Sequence, residues 1–261
     1  MSWFEALILG LIQGLTEFLP ISSSGHLEIG KVLLDTGIEQ SITFTVVLHG
    51  ATVLSILFVF RKDIFSLIKE VFTFQWNSTN KYTAKILLSM LPVLVVGLFF
   101  KEDVESLFTG NLVLVGSMLL ITAMLLSFTY FFKSGERKVG FFHSIVIGVS
   151  QALAVLPGIS RSGATISTAL LLGVKREEAT RFSFLMVIIP IIGANIKDLA
   201  GKDFSAGSDV HALPMIIGFF AAFFAGLLAC KWMIKIVNRG NLIYFVFYCL
   251  IIGLSAIFLG L

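Results

Sequence analysis

The chain has 261 residues, of which 57% are hydrophobic and only 13% are Asp, Glu, Lys or Arg, with a formal net charge of +3. A soluble domain carries about 25% charged residues, so this composition excludes a soluble globular protein and favours an integral membrane protein. Cys230 and Cys249 are isolated in apolar segments, which argues against a disulfide framework or a cysteine metal site.

The chain opens with an apolar segment that is broken by a polar turn. Residues 4–18 are largely apolar, Pro20 and the serines after it interrupt them, and a second short segment covers about 24–34. Neither arm reaches the roughly 20 residues that a helix needs to cross the hydrocarbon core. This pattern predicts a re-entrant hairpin whose turn is buried in protein or lines a cavity.

Long apolar runs follow in two sets of three. The first set covers 41–60, about 85–100 and 111–132, with charged links at 61–82 and 101–105, and the second covers about 179–199, 212–234 and 242–260. Another broken hairpin, at about 139–173, precedes the second set. We therefore expect an all-α integral membrane protein in which each half holds one re-entrant hairpin and three transmembrane helices. A single membrane domain over 1–261 would contain repeat 1, about 1–133, and repeat 2, about 139–261.

The two hairpins are copies of each other in sequence. A shift of 138 residues aligns them without a gap, and it matches the residues that shape the turn: Gln13 with Gln151, Ser22 with Ser160, Ser24 with Ser162, and Gly25 with Gly163. The chemically active residues differ: Glu17 aligns with Val155, Ser23 with Arg161, and His26 with Ala164. Because three spans per half is an odd number, the second half would enter the membrane from the opposite side, as in inverted-topology repeats.

The placement of Lys and Arg agrees with this layout. The loops assigned to one side carry fourteen of these residues and the loops assigned to the other side carry four, with Arg161 left inside the membrane. Because cytoplasmic loops hold the excess of positive charge, the richer side is predicted to be cytoplasmic. Both termini and the first hairpin would then lie outside, and the two turns would meet near the midplane. The basic residues are read as topology signals or lipid contacts, not as a nucleic-acid surface.

Each turn leads into the N-terminus of a short helix, near Ser22, Ser23 and Ser24 in one copy and near Ser160, Arg161 and Ser162 in the other. Helix N-termini present free N–H groups and attract anions. Serines can cap these helices or donate to a ligand, and Gly25 and Gly163 would let a phosphate approach the backbone closely. The junction is therefore a predicted phosphate site.

Glu17, His26 and Arg161 are expected to share one cavity there, because unpaired ionisable groups are costly inside a membrane. They suit phosphoryl transfer, which needs a nucleophile or activated water, a proton acceptor and a cation. The alternatives are a structural ion pair between Glu17 and Arg161 and a capping role for His26. For His49, His143 and His211, near or at the ends of apolar segments, the structural interpretation is preferred.

The chain resembles the bacterial undecaprenyl-diphosphate phosphatase family of the bacitracin-resistance type. Two motifs carry the resemblance: Glu17-Phe18-Leu19-Pro20-Ile21-Ser22-Ser23-Ser24-Gly25-His26 and Pro157-Gly158-Ile159-Ser160-Arg161-Ser162-Gly163-Ala164-Thr165. The resemblance implies removal of the terminal phosphate from a polyprenyl diphosphate, which recycles the lipid carrier for cell-wall precursors. It also implies a multi-pass protein of the bacterial inner membrane, with a site open to the periplasmic face.

The resemblance places the family's catalytic glutamate on Glu17, its candidate serines on Ser22 and Ser23, its histidine on His26 and its arginine on Arg161. Ser23 is the preferred nucleophile, with His26 or a water as alternatives. Substrate contacts are expected from Gln13, Ser22, Ser24, Gly25, Ser160, Ser162 and Gly163.

A divalent cation, Mg²⁺ or Ca²⁺, would be held by Glu17 and the substrate's phosphates. This chain has Gln13 where the family often has a further glutamate, and Gln13 cannot ionise. The matching Gln151 in the second copy suggests that both glutamines hydrogen-bond the backbone of the facing turn.

A lipid or anion transporter is the alternative function, because inverted repeats with broken helices are a transporter architecture. The constellation of Ser, His and Glu beside an Arg favours the enzyme. The oligomeric state is not predicted.

Overall fold

A computed structural model describes residues 1–33, 42–108, 110–132, 135–200 and 212–261. The described chain is helical, with an isolated bridge between Arg137 and Val174. Its helices are α1 (Trp3–Phe18), α2 (Ser23–Leu33), α3 (Ile42–Val59), α4 (Arg61–Val71), α5 (Ser78–Phe99), α6 (Lys101–Glu105), α7 (Leu112–Phe131), α8 (Phe141–Leu153), α9 (Arg161–Leu171), α10 (Arg176–Met186), α11 (Ile188–Ala200), α12 (Ala212–Arg239) and α13 (Ile243–Gly260). The predicted all-α membrane class is confirmed.

Two helix breaks lie where the sequence predicts them. α1 and α2 have 16 and 11 residues, and α8 and α9 have 13 and 11, so each arm is shorter than a membrane span. α2 folds back on α1, and the two helices touch at Gly30. A Cβ built at Gly30 would lie 3.4 Å from Ile12 Cδ1 and 3.5 Å from Leu9 Cδ2. Some predictions concern residues outside the described ranges: the segment ends Leu34, Ser41 and Lys133, and the structural role expected of His211.

Among the described residues, five helices are long and apolar enough to cross a membrane: α5, α7, α10 joined with α11, α12 and α13. α3 and α4 make a sixth candidate, bent by 78°. The chain is a multi-pass membrane protein.

The charged link predicted at 61–82 is instead mostly helical, because it holds α4 and the start of α5. α4 carries Arg61, Lys62 and Lys69 but exposes Phe65 and Ile68, and none of its residues is buried. An amphipathic helix of this kind is expected to lie along the membrane surface.

Small residues bring the helices into close contact. Gly10 and Gly14 of α1 pack against Gly218 and Ala222 of α12. The residue equivalent to Gly10 in the second hairpin, Gly148 of α8, packs against the main chain of Ser89 in α5. In membranes, such residues let helix backbones approach each other closely. Each hairpin is therefore packed against a long helix from the other half of the chain.

We expect Gly14→Ala to lower the free energy of unfolding by about 1 to 3 kcal/mol, because overpacking a close contact forces the backbones apart. The added Cβ would lie 2.5 Å from the main-chain oxygen of Ala222 and 2.8 Å from Ala225 Cβ. Gly97→Ala in α5 is the matched control, since a Cβ there meets nothing within 4 Å and alanine favours a helix. Thermal unfolding in detergent should show a lower midpoint for Gly14→Ala and an unchanged midpoint for Gly97→Ala. Equal midpoints for the two variants would contradict the close packing at Gly14.

Candidate active site

The two hairpin turns are in contact. A Cβ built at Gly25 would lie 3.1 Å from Gly158 Cα, and one built at Gly163 would lie 3.4 Å from Pro20 Cβ. These two contacts are equivalent under the shift of 138 residues. Ser162 Oγ also donates to the main-chain oxygen of Leu19 at 3.1 Å. The predicted meeting of the turns is observed, and this packing explains both glycines; access for a phosphate at Gly25 and Gly163 stays a prediction.

Capping serines shape each turn. Ser22 has a φ of +68°, in the left-handed region, and its hydroxyl accepts the N–H of Gly25 at 3.3 Å. Ser160 Oγ likewise accepts the N–H of Gly163 at 3.1 Å, as the N-cap of α9. Ser24 lies beside Ser22, with 3.2 Å between their hydroxyls. These contacts give Ser22, Ser160 and Ser162 structural partners, and substrate binding by any of the four serines stays a prediction.

Thr122 of α7 fixes the second turn, although no sequence motif marks it. Its hydroxyl donates to the main-chain oxygen of Gly158 at 3.1 Å and accepts the N–H of Ser160 at 3.0 Å. Both bonds are buried, so they satisfy turn groups that have no water at hand. A threonine within an apolar helix gives no signal of this role before the helices are packed.

Glu17 is the centre of the polar cluster at this junction. Its Oε2 accepts from Ser23 Oγ at 2.6 Å and from Gln13 Nε2 at 3.0 Å, and its Oε1 pairs with Nη2 of Arg161. The Glu17 side chain is only 3% exposed, whereas that of Arg161 is 29% exposed. The structure therefore brings Gln13, Glu17, Ser23 and Arg161 together from both halves of the chain.

This arrangement has the parts of a phosphoryl-transfer site. A serine whose hydroxyl donates to a carboxylate has the geometry of a nucleophile paired with a base. Arg161 still has guanidinium N–H groups for a phosphate because part of its side chain remains exposed. The predicted ion pair between Glu17 and Arg161 exists, and its geometry is compatible with both the structural and the catalytic interpretation.

A small cleft adjoins the ion pair. Residues from α1, α3 and α9–α11 line it, including Glu17, Arg161, Thr52, Thr165, Ser183 and Phe184. The lining residues are polar and apolar in equal number, a mixture that suits a phosphate attached to a lipid.

His26 points to a partner that the sequence does not predict. Its Nδ1 lies 2.8 Å from the main-chain oxygen of Ser22, and its Nε2 lies 2.8 Å from the hydroxyl of Tyr248 in α13. The described hydrogen bonds of the ring do not include Glu17, Ser23 or Arg161. The single cavity shared by His26, Glu17 and Arg161 therefore stays a prediction.

The expectation that both glutamines bond the facing turn is wrong. Gln13 donates to Glu17 instead, one helical turn away, and its Oε1 is buried without a hydrogen-bond partner. Gln151 is buried with neither amide atom bonded. The contact between the turns is made instead by glycines and by Ser162, so it needs no hydrogen bond from either glutamine.

The junction of the two turns holds oxygen atoms that suit a divalent cation. The described residues contain no group of three or more His, Cys, Asp or Glu that could hold an ion. However, Glu17, the unpaired Gln13 Oε1 and Ser23 Oγ offer the oxygen ligands that Mg²⁺ and Ca²⁺ prefer. This donor set fits a hard cation when substrate phosphates complete it.

His49, for which the sequence favours a structural role, lies on α3. Its Nδ1 bonds the main-chain oxygen of Thr45 at 2.9 Å. It precedes Thr52, which lines the cleft, by one helical turn on the same face of α3. The bond to Thr45 within its own helix is compatible with the structural interpretation.

The chain is similar to known proteins over nearly its whole length, including both hairpins. The family model described as bacitracin resistance protein BacA matches residues 6–255. Proteins named undecaprenyl-diphosphatase from Christiangramia forsetii and Bacteroides thetaiotaomicron are 53% and 52% identical, each over 98% of this chain and 98% of the relative. Another from Korarchaeum cryptofilum is 40% identical over 96% of this chain and 97% of the relative. The similarity spans both hairpins.

Proposed function

Because this chain belongs to the BacA family of bacitracin resistance proteins, it is a membrane phosphatase of undecaprenyl diphosphate, and we propose that its chemistry takes place where the two hairpin turns meet. The reaction removes the terminal phosphate and leaves the lipid monophosphate, which is the form recycled as a carrier for cell-wall precursors. The transporter alternative is not favoured, since the similar proteins are named for a hydrolytic reaction.

The observation that carries the proposed site is the bonding of Glu17 to both Ser23 and Arg161. In the first step, Ser23 Oγ bonds to the terminal phosphorus and its proton passes to Glu17. The bond from phosphorus to the bridging oxygen breaks, and the lipid monophosphate leaves. Arg161 binds the oxygens of the transferred phosphoryl group and offsets their charge.

In the second step, water attacks the phosphoserine, the bond from phosphorus to Ser23 Oγ breaks, and the proton held by Glu17 returns to Oγ. His26, three residues after Ser23 on α2, is the proposed acceptor of the proton from this water, which it then releases to solvent as inorganic phosphate leaves. His26 as the nucleophile and a direct attack by water are the two alternatives.

The donor set around Glu17 also supports a divalent cation as a proposed cofactor. Glu17 and the amide oxygen of Gln13 would hold Mg²⁺ or Ca²⁺ together with the substrate's phosphates. When bound, such an ion neutralises negative charge on the diphosphate.

The proposed location is the bacterial inner membrane, with the active site open to the periplasmic side. The excess of Lys and Arg in the loops assigned to the cytoplasm supports this orientation. Two observations support an inverted-topology repeat: the paired contacts of Gly25 and Gly163 with the opposite turn, and the packing of Gly10 and Gly148 against the other half.

A phosphate-release assay tests the proposed function. The purified protein in detergent would be given undecaprenyl diphosphate, and inorganic phosphate and lipid monophosphate would be measured in parallel. Equal amounts of the two products are expected. The absence of release, from a protein shown to be folded by its thermal transition, would overturn the function.

We expect Gln13→Glu to strengthen the dependence on divalent cations, because a second carboxylate would lie one helical turn from Glu17. The cation concentration giving half-maximal activity should fall by about threefold to tenfold, which is typical of a gain in ligand charge. Activity would be titrated with Mg²⁺ and with Ca²⁺.

Gln151→Glu is the matched control, since its aligned neighbour is Val155 and no carboxylate lies at the corresponding place. Identical cation curves for wild type and Gln13→Glu would place residue 13 outside the reach of the metal. A wild type fully active in chelator would remove the cation from the mechanism.

A further inference from the structure

Tyr248 contacts His26 through a hydrogen bond and through ring stacking, although 222 positions separate the two residues in the chain. Its hydroxyl lies 2.8 Å from Nε2 of His26. Its ring also stacks on the imidazole, with centroids 5.5 Å apart and an angle of 13° between the planes. A hydrogen bond together with a stacked ring fixes both the position and the plane of the imidazole.

The hydrogen bonds also fix the tautomer of neutral His26. The main-chain oxygen of Ser22 can only accept, so Nδ1 carries the proton of that bond. Nε2 is then the nitrogen with the free electron pair, and it accepts from the hydroxyl of Tyr248. The imidazole is therefore held with Nε2 as its basic nitrogen.

The helix that carries Tyr248 is itself attached to the first turn. Cys249, the next residue, places its Sγ 3.7 Å from the main-chain oxygen of Pro20. α13 also packs against α7 through Gly116 and Gly253, and α7 holds the second turn through Thr122. Tyr248 thus belongs to a helix that contacts the first turn directly and packs against the helix that holds the second turn.

Neither ring is fully enclosed. Tyr248 is 38% exposed and His26 is partly buried, so a bound phosphate can reach Nε2 and replace the phenol hydroxyl. The stacked ring can stay in place during that exchange and keep the imidazole in its plane.

We propose that Tyr248 is a positioning residue for the reaction, which holds His26 in the tautomer and plane that present Nε2 to the substrate's phosphate and its attacking water. This inference rests on the proposed function, because it acts through the proton transfer assigned to His26. It predicts that Tyr248 has no effect on activity once His26 is removed.

Tyr248→Phe keeps the stacked ring and removes the hydroxyl, and Tyr248→Leu removes both. We expect kcat to change by less than about threefold for Phe, because the phosphate replaces that hydrogen bond when it binds, and to fall by about tenfold for Leu, because the stacked ring that holds the imidazole in its plane is lost. KM should change by less than about twofold, since the substrate's own contacts remain. Tyr244→Phe is the matched control, because Tyr244 lies one turn earlier on α13 and is 67% exposed.

The double variant His26→Ala with Tyr248→Leu separates positioning from a structural role. It should be no slower than His26→Ala alone, since residues that act through one another have non-additive effects. The proposal would be overturned if the losses of activity from His26→Ala and Tyr248→Leu multiplied in the double variant. It would also be overturned if the kcat of Tyr248→Leu lay within twofold of the wild-type value.

Nitrogen NMR of ¹⁵N-histidine-labelled protein gives a readout besides activity, with the His26 signals identified by their loss in His26→Ala. An Nε2 signal of an unprotonated, hydrogen-bonded nitrogen is expected in wild type and should shift in Tyr248→Phe; an unchanged signal would contradict the bond. If His26→Ala keeps full activity, the role of Tyr248 falls with that of His26. Failure of the whole function would instead appear as a wild type that releases no phosphate.

Discussion

Ser23→Ala should lower kcat by about a thousandfold or more, because it removes the proposed nucleophile. The substitution deletes one oxygen atom and breaks one bond, the 2.6 Å hydrogen bond from Ser23 Oγ to Glu17. The ion pair of Glu17 with Arg161 and the bond from Gln13 remain, so the fold of the turn should be kept. Steady-state phosphate release and thermal unfolding would be measured on the same preparation.

Ser117→Ala is the matched control for this loss. Ser117 is a partly buried serine of α7 whose hydroxyl donates to Val113 of its own helix at 2.7 Å. It should keep close to wild-type activity. If Ser23→Ala retained more than about a tenth of wild-type activity, Ser23 would not be the nucleophile.

Trapping the intermediate then identifies the attacking group. Substrate labelled in the terminal phosphate should give an acid-stable phosphoserine at residue 23 of the wild type. An acid-labile label would assign the attack to His26, and no label, with oxygen from solvent water in the first product, would assign it to water.

Arg161→Lys should lower kcat/KM by about tenfold to a thousandfold, the range expected when a strong transition-state contact is lost. Lysine keeps the positive charge but lacks the planar fork that binds two phosphate oxygens at once. The charge facing Glu17 is preserved, so the carboxylate is not left unpaired in a buried place. Activity should therefore fall much more than the thermal midpoint does.

Arg181→Lys provides the matched comparison. Arg181 of α10 also pairs with an acidic residue, Asp63, and lies over the ring of Tyr82, but it is not part of the cleft lining. Its replacement should affect stability and leave turnover largely intact. If the kcat/KM of Arg161→Lys lay within about threefold of the wild-type value, the Glu17–Arg161 pair would have a structural role alone.

Much of the fold could be predicted because the lengths of apolar segments are a direct property of the sequence. The helices that end at Phe18 and Leu153 are followed by turns that contain Pro20 and Pro157, and proline disfavours continuation of a helix. The apolar segments on either side of each turn are too short to span a membrane. The helical nature of 61–71 was missed because its charges conceal an amphipathic pattern.

A polar junction holding Glu17 and Arg161 was predicted from residue types and from the matched turns, and the place of Ser23 in it from the family resemblance; the contacts among the three are observed. A carboxylate, a hydroxyl and a guanidinium inside a membrane need partners, and few were available in the chain. The same reasoning failed for the glutamines, since an amide can bond in many directions and the sequence does not give the distance to the facing turn.

By itself, the sequence determined that this is a helical membrane protein with two related hairpins and with ionisable groups at their turns, because hydropathy, residue type and internal repetition need no knowledge of packing. Only the tertiary structure decided which groups touch: Arg161 with Glu17 across 144 positions, and His26 with Tyr248 across 222. Such pairs depend on how closely helix backbones approach at Gly10, Gly14 and Gly253, and a shift of even one ångström there would separate partners held at hydrogen-bond distance.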